Sequence, residues 1–385
     1  MAGEWRRTKL GDVVEINPDA LGSDWPYDHI RYVDISSVGE GFLIELPRHL
    51  SITDAPSRAK RLVRSGDTIL STVRPNRRSM YFVKESSPDL VVSTGFAVLR
   101  PRENLIEPRY LYACVFDKNF TEYLVSREKG AAYPAVLPED IADAVINLPP
   151  LPEQRAIAAV LGALDDKIEL NRRMNRTLEA IAQAVFRHWF VENEEAEGWE
   201  VGRLGDEFNL TMGQSPPGET YNETGEGIPF FQGRADFGFR FPTKRVYCTA
   251  PTRFAEAGDT LVSVRAPVGD MNMAAERCAI GRGLAAVRHK TGSRSYTYYA
   301  MRFIQESLSR FEGEGTVFGS ITKADFENLQ VIIPPVEKVK EFEKFCFSID
   351  EMIENNEQQS RTLAALRDAL LPKLLRGEVR VTVHE

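Results

Sequence analysis

Two stretches of the chain carry apolar residues at alternating spacings of three and four. Ile157, Leu161, Leu164, Ile168, Leu178, Ile181 and Val185 share one helical face. Phe342, Phe345, Ile349, Ile353, Leu363, Leu366 and Leu370 share another. Only Gly162 interrupts the first stretch. A Pro-Pro pair precedes each, in LPPLPEQ (Leu148–Gln154) and IPPVEKV (Ile333–Val339). Proline is excluded from a helix interior but suits its first turn. Each pattern predicts a helix of about 38 residues, about 57 Å long at the usual rise. Stripes this one-sided do not stand free, and two near-identical ones pack most simply on each other as a coiled coil. Asn171 and Asn356 interrupt both stripes at the equivalent place. They fit either a solvated face or a polar pair that sets register.

The segments ahead of the prolines have another rhythm. DTILSTV and VVSTGFAVL run apolar or alternate between frequent turns, as buried strands do. They also recur. WRRTKLGD from Trp5 is answered by WEVGRLGD from Trp199, and SGDTILSTVRP from Ser65 by AGDTLVSVRAP from Ala257. TGFAVLR from Thr94 is echoed by RGLAAVR from Arg282, and PRYLYACVF from Pro108 by RSYTYYAMRF from Arg294. From Gly130 and Gly315 the halves align without gaps through Asp165/Asp350, Asn171/Asn356 and Arg176/Arg361. A repeat this long is a domain plus a helix, not a solenoid unit of about 20–50 residues. The expected divisions are 1–150 and 197–335 for two globular parts and 151–196 and 336–385 for the helical parts. The expected class is α+β: two globular domains of mixed α/β character joined by two long helices that form an antiparallel coiled coil.

Composition narrows the function. At 43% hydrophobic the chain is globular, and no apolar run is long enough to span a bilayer. MAGEWRRTKLGD lacks an apolar signal core, so the expected location is the cytosol and no membrane partner is expected. The cysteines, Cys114, Cys248, Cys278 and Cys346, form no C-x-x-C pair and read as buried reduced thiols. The five histidines are scattered, with no i, i+4 pair for a metal. SPPG (Ser215–Gly218) lacks the aromatic that would stack on a flipped base in an adenine methyltransferase. GRGLAA (Gly281–Ala286) is a weak G-x-G match within a strand echo, and no P-loop exists. Asp165–Asp166–Lys167 spells a nuclease-like D-x-K, but on the long helix it reads as a solvated face. No catalytic, cofactor-binding or metal residues are therefore expected.

What remains is local positive charge on a chain of net charge −8. Seven Arg or Lys residues lie between Arg58 and Arg78 against Asp67 alone. The tip RPNRRSMY offers Arg74, Asn76, Arg77, Arg78 and Tyr81; arginine suits guanine edges and phosphates, and asparagine suits adenine edges. In the second half FFQGRADFGFRFPTKR interleaves Gln232, Arg234, Arg240, Lys244 and Arg245 with phenylalanines, and Arg265 and Arg282 follow. The loops Gly130–Pro138 and Gly315–Lys323, at matching places before each helix, add Tyr133 and Lys323. A solvated basic loop is the plain alternative for each cluster. The halves share a frame but differ at these loops, which points to two different half-sites.

Taken together, the paired W-x-x-x-x-L-G-D openings, the GDTILSTVRP and GDTLVSVRAP segments, LPPLPEQRAIAAVLGALDDKIELNRRMNRTLEAIAQAVF and the terminal LLPKLLRGEV resemble the specificity subunit of type I restriction–modification enzymes. The second copy departs at IPPVEKV, where the E-Q pair is absent. The resemblance implies two target recognition domains, each reading one part of a split, asymmetric double-stranded DNA sequence, with the helices as a ruler between them. It implies two methyltransferase subunits and restriction/translocase subunits as partners. S-adenosylmethionine, ATP and Mg would belong to those partners and not to this chain. The rival readings are a standalone methyltransferase, which lacks its motifs here, and a coiled-coil protein–protein scaffold without DNA readout.

Overall fold

The computed structural model describes residues 5–130, 134–312 and 319–382. It divides into a first unit, Met1–Leu170 with Gln359–Glu385, and a second, Asn171–Gln358. The first unit opens with β1 (Arg6–Lys9), α1 (Leu10–Val13), β2 (Val14–Ile16), β3 (His29–Val33), β4 (Arg48–Ser51) and β5 (Ala59–Leu62). β6 (Thr68–Ser71), β7 (Met80–Phe82), β8 (Leu90–Ser93), β9 (Phe96–Pro101), α2 (Pro108–Phe116), α3 (Lys118–Val125), α4 (Pro138–Ala142) and β10 (Val145–Leu148) follow, and α5 (Leu151–Phe190) begins after the Pro-Pro pair. One sheet has the order β2-β9-β6-β7, a second the order β4-β3-β8-β5, and β1 pairs with β10 in a ribbon. β6 and β8 are buried at every position, which is why they read as continuous apolar runs and not as alternation.

The second unit repeats this plan. It contains β11 (Glu200–Arg203), α6 (Leu204–Glu207), β12 (Phe208–Met212), β13 (Tyr221–Asn222), β14 (Ile228–Phe231), β15 (Tyr247–Cys248) and β16 (Phe254–Ala255). β17 (Thr260–Ser263), β18 (Met271–Met273), β19 (Cys278–Ile280), β20 (Leu284–His289), α7 (Arg294–Phe303), α8 (Gln305–Ser309), α9 (Lys323–Glu327), β21 (Gln330–Ile333) and α10 (Val336–Leu375) complete it. Its sheets run β12-β20-β17-β18 and β13-β15-β14-β19-β16, with the ribbon β11-β21. Each unit has one parallel strand pair, β3 with β8 and β14 with β19.

Each unit packs its sheets onto one portion of each long helix. In the first, Ile157 and Leu161 of α5 and Leu371, Leu374 and Leu375 of α10 join a core with Leu10, Leu99 and Tyr110. In the second, Ala182, Phe186 and Phe190 of α5 meet Phe342, Cys346 and Ile349 of α10 and Phe208 and Tyr296 of the globular part. The helices run antiparallel: in the second unit Asn171 Nδ2 donates to the Asn356 carbonyl at 3.3 Å, and Asn356 Nδ2 donates to Asn175 Oδ1 at 2.9 Å. Asn171 is 0% exposed, so of its two readings the structure takes the buried polar one. Not every stripe position is buried: Ile181, Phe345 and Leu366 are 44%, 43% and 47% exposed, because a three-four spacing also captures residues flanking the seam.

The D-x-K segment is a solvated face only in part: Asp166 is exposed, but Asp165 is turned towards α10. Asp165 receives a hydrogen bond from Arg367 Nη1 of α10 at 2.8 Å, and burial pushes its carboxyl up despite that partner. Asp166 pairs with Lys84 at 2.5 Å and Arg109 at 3.0 Å. Arg109 crosses the helix over Gly162, where an added Cβ would come within 2.5 Å of its guanidinium and displace it.

The missing E-Q pair is also explained. In the first copy Gln154, 1% exposed, accepts from Glu107 N at 2.8 Å and donates to Pro149 O at 2.9 Å. Glu153 accepts from Trp5 Nε1 at 2.9 Å and from Arg380 at 2.6 Å. In the second, Val339 joins the apolar core instead, and the start of α7 is capped from α10, where Glu343 accepts from the backbone N–H of Arg294, Ser295 and Tyr296. All four cysteines are buried and free.

Candidate nucleic-acid interface

The loops ahead of the long helices and the strand ends leading to Arg74 and Arg265 lie along one edge of each unit. In the first unit Thr72 N donates to Gly95 O at 2.8 Å, Val136 N to Thr72 O at 2.9 Å, and Arg74 N to Pro134 O at 2.8 Å. These bonds lay three segments side by side: the β8–β9 turn, the strand end leading to Arg74, and the loop that follows Lys129. The segment after β3 joins them, since a Cβ on Gly95 would meet Ile35 at 2.2 Å. The second unit builds the same edge. Val264 N donates to Gly283 O at 2.9 Å, Ile321 N to Val264 O at 3.1 Å, and Ala266 N to Gly319 O at 3.0 Å. The loops before the helices and the arginine-bearing tips, chosen separately in the sequence, are thus neighbours.

In the first unit the tip is a tight turn, Pro75–Arg77, between two left-handed residues, Arg74 (φ 49°) and Arg78 (φ 55°). That conformation costs a non-glycine residue about 1–2 kcal/mol, so the surroundings must hold it. They do so through Arg78, whose guanidinium donates to Thr121 Oγ1 and Phe116 O, each at 2.6 Å, and to Glu40 at 2.7 Å. At 13% exposure Arg78 braces the turn and is unavailable to DNA, unlike the expectation for it. Asn76 and Arg77 at the apex are exposed, and Arg77 enters no ion pair among the described residues. Arg74 and Tyr81 are half-buried at its base. Tyr133 lies outside the described residues; Lys129 and Ala135, which flank it, pair with each other, and Ala135 bridges to Val73. Sequence reasoning gave no signal for Ser36 and Thr94, both exposed on this edge, or for the ion pair of Arg58 with Asp34 at 3.4 Å.

The second unit corrects the expectation more sharply. Arg240, read as a DNA contact, is 1% exposed. Its Nη1 donates to Asp350 of α10 at 2.7 Å, Nη2 to the Tyr299 hydroxyl at 2.9 Å, and its guanidinium carbon lies 4.0 Å from the Tyr298 ring centroid. The apolar residues that interleave the basic segment draw it inward, and α10 supplies the counter-charge. Arg234, Lys244 and Arg245 are exposed but paired, with Asp270 at 2.6 Å, Glu276, and Asp236 at 2.5 Å. Lys323 opens α9 and pairs with Glu327 at 3.3 Å. Gln232 is exposed at the end of β14. Arg265 and Arg282 are exposed and, of the cations singled out in this unit, are the ones without an ion pair among the described residues.

Among the described residues no group of His, Cys, Asp and Glu could hold a metal, and no helix is long and apolar enough to cross a membrane. The family described as "Type I restriction modification DNA specificity domain" matches residues 2–180 and 196–365. The chain is 30% identical to a putative type I restriction enzyme MjaX specificity subunit of Methanocaldococcus jannaschii, over 98% of this chain and 94% of that protein. It is 23% identical to the type I restriction enzyme HindI specificity subunit of Haemophilus influenzae, over 98% of this chain and 100% of that one. A crystal structure of a type I restriction–modification S subunit from M. genitalium shares the fold, with a TM-score of 0.59 at 16% identity over 97% of this chain and 96% of that one.

Proposed function

The chain belongs to the type I restriction–modification DNA specificity family, and from that premise we infer that it reads a bipartite, asymmetric duplex sequence and directs the methyltransferase and restriction subunits to it. It acts as the specificity subunit and not as a catalyst. The observation that carries the bipartite reading is the duplicated edge: the same backbone hydrogen bonds, from Thr72 and Val136 in one unit and Val264 and Ile321 in the other, present different side chains. A shared frame with unlike side chains suits two unlike half-sites.

In this reading residues 1–150 and 197–335 are the target recognition domains, and residues 151–196 and 336–385 form the ruler. Asn76 and Arg77, with Arg74, Tyr81 and Tyr133 around them, meet one half-site. Gln232, Arg265 and Lys323 meet the other. Lys244 can exchange its exposed partner Glu276 for a phosphate at little cost, because surface ion pairs contribute only about 0–1 kcal/mol, whereas Arg245 is held by the buried Asp236 and Arg234 by the half-buried Asp270. Two methyltransferase subunits and the restriction/translocase subunits are the protein partners. Within the second unit the helices leave Ile181 of α5 and Phe345 and Met352 of α10 exposed as apolar positions open to such partners. S-adenosylmethionine, ATP and Mg belong to those partners. The site of action is the cytoplasm, where the DNA is.

The test is expression with its methyltransferase partner in a host free of adenine methylation, followed by mapping of methylated adenines. A two-part motif with a fixed spacer is expected. An undivided motif, or methylation without sequence preference, would refute the reading.

A further inference from the structure

The edge of the second unit contains an arginine, Arg282, whose backbone setting sets it apart from the other basic residues there. Arg282 sits between Gly281 and Gly283 in the turn joining β19 to β20. The turn is pressed onto the end of β14. Gly281 N donates to Phe231 O at 2.8 Å, and a Cβ on Gly283 would stand 2.3 Å from the Gln232 carbonyl oxygen. That obstacle is backbone, so residue 283 must be glycine for the two segments to lie this close. A Cβ on Gly281 would stand 3.3 Å from Gln232 Cα, so the approach is tight on both sides of Arg282. The backbone of Arg282 is tied on the remaining side, its N–H donating to Ser215 Oγ at 3.3 Å. The side chains of Gln232 and Arg282 are exposed, and neither enters an ion pair among the described residues.

We propose that Gln232 and Arg282 form a paired reading head, in which Arg282 recognises a guanine and Gln232 an adenine at neighbouring base pairs of one half-site. The proposal rests on the DNA-reading function above. β14 and β19 are parallel neighbours, paired Phe230 with Ala279 and Phe231 with Ile280, and both residues lie just beyond their ends. Adjacent strands are about 4.8 Å apart, close to the rise of about 3.4 Å between base pairs, and two long side chains cover the difference. Arginine pairs with the O6 and N7 of guanine through two donors, and glutamine with the N6 and N7 of adenine. A glycine-clamped turn fixes both Cα positions in advance, so little ordering is left for the moment of binding.

The first unit supports the assignment by contrast. Its parallel pair matches Val33 with Val92, which makes Asp34 the counterpart of Gln232, and Thr94 that of Arg282. The frame is the same, but the chemistry is not: Asp34 is occupied by the Tyr32 hydroxyl at 2.9 Å and by Arg58 at 3.4 Å, while Thr94 is short and exposed. Positions that keep their backbone setting and change their donors and acceptors are where two readers of one fold would differ in sequence.

The experiment maps methylated adenines produced by the full complex carrying Arg282→Ala, Arg282→Lys or Gln232→Ala. Arg282→Ala should lower discrimination at one base pair of one half-site by roughly 10- to 100-fold and leave the other half-site and the spacer unchanged. Arg282→Lys keeps the charge but not the two-pronged donor, so it should lose discrimination at the same base pair. Gln232→Ala should relax the adjacent base pair. If Arg282→Ala weakens binding equally on all sequences and Arg282→Lys restores it with the motif intact, Arg282 is a phosphate contact and the proposal is wrong. A motif unchanged by all three variants overturns it as well, with the divided wild-type motif still standing. A wild-type complex that gives no divided motif removes both this proposal and the function it rests on.

Discussion

Replacing Arg240 by methionine should damage the stability of the second unit and leave the sequence it reads untouched. The guanidinium is 1% exposed, and its partner carboxylate on Asp350 is 4% exposed. Methionine keeps much of the side chain's length but leaves Asp350 as a buried anion, with the Tyr299 hydroxyl at 3.2 Å still placed to donate to it. Breaking a buried pair by removing one partner costs about 3–5 kcal/mol, because the remaining charge is uncompensated. The lost contact with the Tyr298 ring is part of that same difference. In a unit of this size each kcal/mol moves the midpoint by about 2–4 °C, so the thermal transition of the second unit should fall by roughly 6–20 °C. Differential scanning calorimetry on the full chain would measure it, for Arg240→Met, Asp350→Asn and the double variant. The double variant leaves no buried charge alone and should recover at least half of the loss. A single variant within about 0.5 kcal/mol of the parent would refute the reasoning. So would a change in the methylated motif without a change in stability, because Arg240 would then be reading DNA.

The neighbours Arg77 and Arg78 should separate in the opposite senses. Arg77→Ala should leave stability within about 0.5 kcal/mol and weaken DNA binding by the complex, whereas Arg78→Met should cost roughly 1–3 kcal/mol by stranding the Phe116 carbonyl and Thr121; urea titration and binding at several salt concentrations distinguish them, and the same effect from both would contradict the brace. His289 should make the second unit acid-sensitive. Burial among Phe208 and Tyr296, with the charge of Lys290, pushes its imidazole down to about 4, and the Glu207 carboxylate 3.5 Å from Nε2 does not reverse this. The unfolded chain, at about 6.5, therefore takes up the proton first. The contribution is fully present above pH ~6.5 and is lost as the pH falls towards ~4, amounting to about 3 kcal/mol. The stability gap between parent and His289→Gln should therefore shrink between pH 7.5 and pH 5; a gap that stays constant across that range would show that His289 does not titrate there.

The local rules acted where the repeat is strongest. The three-four spacing located both long helices, and the Pro-Pro pairs located their starts, because helix periodicity and the geometry of proline are properties of neighbouring residues. The duplication, the buried strands at DTILSTV and VVSTGFAVL, and the buried thiols followed from the same short-range patterns. Local chemistry picked out segments that the fold lays along one edge of each unit, without separating their exposed members from their buried ones. Arg77 and Arg78 are adjacent and alike in sequence, yet one is at the surface and the other braces a left-handed turn. Arg240 and Arg245 lie in one basic stretch, yet only Arg240 has Asp350 facing it from α10.

The fate of Asn171 was open for the same reason. An asparagine in a helix is solvated or buried according to what the other helix places opposite, and that is Asn356. In sequence Arg282 was one arginine trailing the basic segment, inside a weak glycine motif; its closeness to Gln232 exists only after β14 and β19 pair. The sequence by itself determined the elements, their duplication and the kind of surface each half carries. Only the tertiary structure decided which arginines carry a free charge, because a charge is free or neutralised according to counter-charges that lie as much as 227 residues away along the chain.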